Sequence, residues 1–241
     1  MRKWTLLFLL TSLLAASCGS IGNRERISGN GQVTSENREP GNFTGVSTLG
    51  DFKLYVAIGN TPSVKIEAES NILPYIETYV ENGSLTVKTK NNVNLVTEKP
   101  IKVYITTPQL SKIHLLGTGD VVGQTAITDP SKLNIELKGD GNINLDVDAP
   151  EIEAVVTGAG NIQLKGQSKN VDCKVIGQGN IKAIDLQAEE AKVSIMGEGD
   201  IDVNTSVKLD VTITGDGSVK YKGNVTPHKT IIGNGNVTQV Q

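Results

Sequence analysis

Carboxylates recur at one kind of place in this chain. Asp120, Asp140, Glu198, Asp200 and Asp216 all fall inside or just after a Gly-x-Gly tripeptide, and Asn142, Asn161, Asn180, Ser218 and Asn236 take the place of Asp120 in the other copies. A column of such groups could hold calcium, which takes six to eight oxygen ligands. The nine-residue, double-Gly calcium repeat is absent, however. Amides at three middle copies also thin the charge. Turn chemistry is the better reading, because short polar side chains bond local backbone or one another, and no metal is expected. Gly-x-Gly also opens dinucleotide-binding loops, but that fingerprint needs a third Gly and a helix behind it. Here a strand-like run follows each copy.

Polysaccharide hydrolysis would need paired carboxylates across one cleft, and a lyase would need a base with cation support. Asp146, Asp148, Asp202 and Asp210 qualify by residue type alone. Arg is absent after Arg38, and His114 and His228 stand isolated at positions that turns or surface explain. No catalytic residue is therefore assigned, and no cofactor. Two His and two Cys leave little material for a zinc site. A net charge of −3 argues against nucleic acid as a partner.

The elements that must position these groups are legible as a repeat. Gly-x-Gly-[Asp/Asn/Ser]-[Ile/Val] occurs seven times: Gly117 and Gly119, Gly139 and Gly141, Gly158 and Gly160, Gly177 and Gly179, Gly197 and Gly199, Gly215 and Gly217, Gly233 and Gly235. Successive copies are 22, 19, 19, 20, 18 and 18 residues apart. Before the corners run Leu133, Ile135 and Leu137, then Ile152, Ala154 and Val156, then Val171, Cys173 and Val175, always at alternate positions. After them stand Ile143 and Leu145, Ile162 and Leu164, Ile201 and Val203. Period-two alternation marks strands with one buried face.

About 19 residues are too few for a βαβ crossover but sufficient for one coil of a parallel β-helix. Seven rungs at ~4.8 Å each give a section of roughly 30–35 Å, with an aliphatic interior shared between neighbours. Gly suits a sharp corner where φ is positive or where stacked backbones leave no room for a Cβ.

The first half, residues 42–116, is also strand-like, with alternation in 52–58, 64–68 and 101–105 and a turn signal at Asn82-Gly83. It is expected to form a broader β-layer continuous with the repeat at 117–241, capping one end of its core. Leu49-Gly50-Asp51-Phe52 reads as a degenerate corner.

At the N-terminus Arg2 and Lys3 precede an apolar run from Leu6 to Leu14 and then Ala15-Ala16-Ser17-Cys18. This has the layout of a signal peptide rather than a membrane span. Small residues directly before Cys18 resemble a bacterial lipobox, which makes 1–17 a lipoprotein signal peptide and Cys18 the acylated residue; an ordinary signal peptide with Cys18 incidental is the alternative. With Cys18 lipidated, Cys173 has no partner for a disulfide within the chain, and its alternating context suits a buried small hydrophobe. Residues 18–41, rich in Gly, Ser, Asn, Arg and Glu, read as a flexible tether.

These features together resemble the bacterial head GIN domain family, the auto-transporter adhesin group formerly described as a domain of unknown function. The likeness rests on Asn42-Phe43-Thr44-Gly45-Val46, Asn71-Ile72-Leu73-Pro74-Tyr75-Ile76-Glu77, Lys99-Pro100-Ile101-Lys102-Val103-Tyr104-Ile105 and the seven corners. It implies an all-β, right-handed parallel β-helix related in shape to pectate-lyase folds, without the lyases' catalytic residues. It also implies a lipoprotein or secreted protein of Bacteroidetes-type bacteria. The expected role is a non-catalytic adhesin or binding module of the cell envelope, at the outer membrane. It would present a flat face with outward residues such as Asn134, Glu136, Lys138, Asn144 and Asp146 to a glycan or protein. A polysaccharide lyase or hydrolase and a passive structural component are the alternatives. Membrane attachment through Cys18 and a homo-oligomer are the further partners expected.

Overall fold

The computed structural model describes residues 24–129 and 131–241. The expected signal peptide and the lipidation position Cys18 lie outside the described residues. The first part of the chain forms β1 (Glu25–Ser28), β2 (Val33–Arg38), β3 (Gly45–Leu49), β4 (Lys53–Ile58), β5 (Ser63–Glu69), a 3-10 turn (Leu73–Tyr75), β6 (Ile76–Glu81), β7 (Ser84–Thr89), β8 (Val93–Val96) and β9 (Lys102–Thr107). The repeat supplies β10 (Lys112–Gly117), β11 (Asp120–Gly123), β12 (Ile127–Thr128), β13 (Lys132–Gly139), β14 (Asn142–Gly158), β15 (Asn161–Gly177), β16 (Asn180–Gly197), β17 (Asp200–Gly215), β18 (Ser218–Lys222), β19 (His228–Ile232) and β20 (Asn236–Gln239). The C-terminal part is a β-solenoid of about seven turns.

Alternation dictates the coil. In β14 the side chains of Ile143, Leu145, Val147 and Ala149 point inward and are buried, then Pro150 and Glu151 both face out, and inward burial resumes at Ile152, Ala154 and Val156. The doubled outward pair marks a second bend. Parallel pairing keeps like on like: Ile135 on Ala154, Ala154 on Cys173, Cys173 on Val193 and Val193 on Val211. Irregular copy lengths are absorbed away from the Gly corner. The register shifts between Gln163 and Lys165 against β16, and between Ala183 and Gln187 against β17, while Gly158, Gly177, Gly197 and Gly215 remain aligned.

One corner explains the rest. Gly158 has φ +122°, a conformation L side chains rarely adopt, and its carbonyl accepts hydrogen bonds from the N–H groups of Gln178 (3.0 Å) and Gly179 (2.9 Å) on the next rung. Gly160 has ordinary φ but no space, since a Cβ there would meet the Leu137 side chain and lie 2.5 Å from the Gly141 carbonyl oxygen. Gly50 extends this column below Gly117, with φ +128° and its carbonyl oxygen 2.8 Å from where a Gly117 Cβ would stand. The degenerate corner at Leu49–Phe52 is thus a true rung, with Phe52 in the place of the second Gly and its ring buried at 1% exposure.

The first half continues the solenoid. Strands β3 and β4 stack parallel on β10 and β11, and β7 and β9 stack parallel beneath β3 and β4. Below that the direction reverses: β6 runs antiparallel to β7, β5 to β9, and β2 to β5. These reversed strands cap the core end.

The tether expectation does not hold for residues 24–41, which carry β1 and β2. Strand β1 pairs with β8. The Arg38 guanidinium of β2 donates to the Ile76 carbonyl (2.8 Å), the Thr78 hydroxyl (3.1 Å) and the Leu73 carbonyl (3.4 Å), tying β2 to β6. The Glu69 carboxylate, buried at 1% exposure, accepts the N–H groups of Gly31 (2.6 Å) and Glu98 (3.1 Å). Any Cβ on Gly29 would run into that carboxylate.

Candidate binding face

Strand register sorts the outward side chains into columns on either side of the Gly corner. Immediately after the corner, Asp120, Asn142, Asn161, Asn180 and Asp200 lie on successive rungs. Their groups bond one another along the column: the Asn142 amide donates to Asp120 (3.0 Å), Asn161 to Asn142 (3.1 Å) and Asn180 to Asn161 (2.8 Å). The Asp200 N–H then donates to the Asn180 side chain, and the Ser218 N–H to that of Asp200. Of the carboxylates that might have bound calcium, Asp120 and Asp200 therefore serve as acceptors in ladder bonds, and Glu198 likewise accepts from Gln178 and Asp216 from Asn234. Among the described residues no three His, Cys, Asp or Glu side chains come close enough to hold a metal ion.

Two residues further on, a second column holds Tyr104, Tyr55, Val122, Asn144, Gln163 and Lys182. The rings of Tyr55 and Tyr104 stack at 5.0 Å with planes 15° apart, and the Tyr104 hydroxyl bonds Glu67 (3.2 Å). Burial, with Glu67 beside it, pushes the Tyr104 phenol above its ordinary value. Asn144 and Gln163 are exposed register partners.

Before the corner the surface is ionic. Lys132 reaches Glu151 (3.1 Å) and Glu153 (2.9 Å), Lys192 reaches Asp172 (3.2 Å), and Lys208 reaches Asp210 (2.6 Å). His114 lies 3.4 Å from Glu136, which Lys138 also contacts at 2.6 Å. Partial burial, then the charge of Lys112, lowers the His114 imidazole below its ordinary value despite Glu136.

The residues singled out by sequence scatter over this frame. Asn134, Glu136 and Lys138 stand on the ionic side; Asn144 and Asp146 stand beyond the corner. The four candidate acids are not brought to one cleft. Asp146 pairs with Lys165 (3.4 Å) and Asp148 accepts from Gln167 (2.8 Å) on the neighbouring rung. Asp202 lies three rungs away, about 14 Å at ~4.8 Å per rung, where burial lifts its carboxyl above the ordinary value despite Lys220. Asp210 belongs to the ionic side. His228 is exposed on β19. Cys173 sits wholly inside, its thiol pushed up to about 12 by burial and then by Asp172.

Sequence reading missed the Tyr55–Tyr104 pair and the outward place of Gln163 beside Asn144. A signal for the pair existed: Phe52-Lys53-Leu54-Tyr55-Val56 and Ile101-Lys102-Val103-Tyr104-Ile105 share one pattern, as stacked rungs do.

Comparison with known proteins places this geometry among relatives. A family model described as "Putative auto-transporter adhesin, head GIN domain" matches residues 42–225. The crystal structure of a protein described as a "putative adhesin" from Bacteroides fragilis superposes with a TM-score of 0.84 at 26% identity, covering 89% of this chain and 100% of that one. A "putative lipid binding protein" from Parabacteroides distasonis gives 0.78 at 25% identity over 90% of this chain and all of its own. A "putative adhesin" from Parabacteroides merdae shares the fold at 0.70 and 22% identity, again over 90% and 100% of the two chains. No curated protein matches this chain.

Proposed function

This chain belongs to the head GIN domain family, and from that premise we propose that it is a non-catalytic binding module of the bacterial cell envelope, an adhesin held to the outer membrane by lipid on Cys18. One observation carries the reading: outward side chains are locked in register from rung to rung, as in Asp120, Asn142, Asn161 and Asn180. A face so regular can repeat one weak contact many times, and such contacts sum to useful avidity. Description of the Bacteroides fragilis relative as an adhesin supports the same role. The scattered acids, Asp146 engaged by Lys165, Asp148 by Gln167 and Asp210 by Lys208 with Asp202 standing apart, support binding over hydrolysis.

Anchoring is tested by labelling cells that express the chain with radioactive palmitate. Label is expected in the wild type and lost in Cys18→Ala. Adhesion is tested by displaying the chain on a non-adherent bacterium and counting cells retained on mucin and on epithelial monolayers. Retention above the empty strain is expected; equal counts on every surface overturn the adhesin reading.

A further inference from the structure

We propose that the open edge of β19 takes up an extended acidic segment of another protein as one more strand, so that the partner completes the last rung. This contact stands apart from the adhesin reading and does not depend on it.

The backbone supplies half of the site. Strands β15 and β16 are paired on both edges. Among the described residues β19 pairs with β17 alone, from His228 on Asp210 to Ile232 on Thr214. Its other edge is left with N–H and C=O groups that a further strand can satisfy.

Side chains supply the other half. One rung below, Val211 and Ile213 point inward and are buried. Lys229 and Ile231 continue these inward positions, yet Lys229 is exposed and Ile231 is 39% exposed. An added strand would cover both. Over Ile231 it needs an aliphatic side chain, as Val175, Ile195 and Ile213 supply on the rungs beneath. Over Lys229 it needs an acid.

Charge names the partner. Elsewhere a lysine meets an acid on the neighbouring rung, in register: Lys53 with Asp120, Lys165 with Asp146, Lys192 with Asp172. No Asp or Glu follows Asp216, while Lys220, Lys222 and Lys229 do. Lys220 has Asp202 beneath it, but Lys229 has only Val211. Its counter-charge must come from the other side, where the new strand would lie. A second copy fits less well. Stacked end to end it brings another Lys229. Stacked head to tail it brings β2, whose corresponding column is Thr34, Glu36 and Arg38, with no aliphatic group for Ile231. A dissolved polyanion would meet Lys229 but leave Ile231 and the backbone edge uncovered.

The test uses the full chain, immobilised, against the peptide Ser-Thr-Glu-Thr-Ile-Thr-Glu-Thr-Ser, which places an acid two residues from an aliphatic side chain in either strand direction. Comparators are the same peptide with Lys for both Glu, the acidic peptide N-methylated on its three central residues, and heparin. The acidic peptide is expected to bind. N-methylation, which removes backbone donors and keeps the charge, should weaken it at least tenfold, and the lysine peptide should not bind. Lys229→Glu should reverse the preference between the two peptides with an unchanged melting temperature, while Asp172→Ala/Lys192→Ala should leave it as it was. No binding of the acidic peptide at millimolar concentration, equal binding of its N-methylated form, binding of heparin in its place, or wild-type preference in Lys229→Glu each overturns the proposal. Wild-type chain that sediments as a dimer or larger would make a second copy the occupant and overturn it too.

Discussion

The carbonyl oxygen of Gly139 lies 2.6 Å from the point a Cβ would occupy on Gly158. That oxygen also accepts the N–H groups of Ala159 and Gly160, so it cannot retreat without losing bonds that join two rungs. Gly158→Val should destabilise the protein by about 3 kcal/mol through the positive φ and the collision. Ala159→Val, one residue on at an exposed corner tip, should change stability by less than about 0.5 kcal/mol. Thermal melts of the two variants check this; equal shifts would mean that the corner does not depend on close stacking.

Thr48 points inward on β3, fully buried, and among the described residues its hydroxyl has no hydrogen-bond partner. Its rung neighbours are Leu115 and Val87. Thr48→Val keeps the shape and removes the unpaired group, so it should stabilise by about 1 kcal/mol. Urea denaturation would read this as a higher midpoint at unchanged slope.

Asp129 caps the turn into β13. Burial alone would raise its carboxyl, but hydrogen bonds from the Ser131 N–H and hydroxyl, the Gln109 amide and the Lys132 N–H outweigh it and hold the group below its ordinary 3.8. A depressed carboxyl binds fewer protons folded than unfolded, so its contribution is full above the unfolded value and is lost as pH falls through the folded one. Asp129→Asn should cost about 2 kcal/mol at neutral pH, and the gap to wild type should close below about pH 3.8. A gap that stays constant from pH 7 to pH 3 would contradict the assignment.

The last rung is guarded differently from the first. Strands β19 and β20 pair on one side, with β17 and β18. The inward column that holds Val193 and Val211 continues to Lys229, and the one that holds Val203 and Tyr221 continues to Gln239. A charge at an inward edge position discourages pairing with another chain. Lys229→Ile, beside the exposed Ile231 and Ile232, should promote end-to-end association, seen as faster-sedimenting species at micromolar concentration. A variant that sediments as the wild type does would show that Lys229 has no such role.

Much of this was legible in the chain because a stacked coil writes its geometry as a period. Spacing of the Gly pairs sets the rungs, and alternation alone puts Cys173 and Ile162 inside, where both are buried. Strands β1 and β2 were hidden because their order comes from distant partners. Val33–Arg38 is exposed along nearly its whole length and is held by β5 and by Arg38 reaching β6, which no local pattern announces. The binding face was half legible. Asn144 is outward by parity, but its distinction from Asn142 lies in which amides already have partners, a property of three dimensions.

The order found in residues 24–41 also sets a distance. With lipid on Cys18, five residues of chain separate the anchor from Arg24, and the six steps between them reach about 20 Å fully stretched. A domain anchored in that way would ride close against its bilayer rather than on a stalk, so anything it met would have to come down to the membrane or already grow from it.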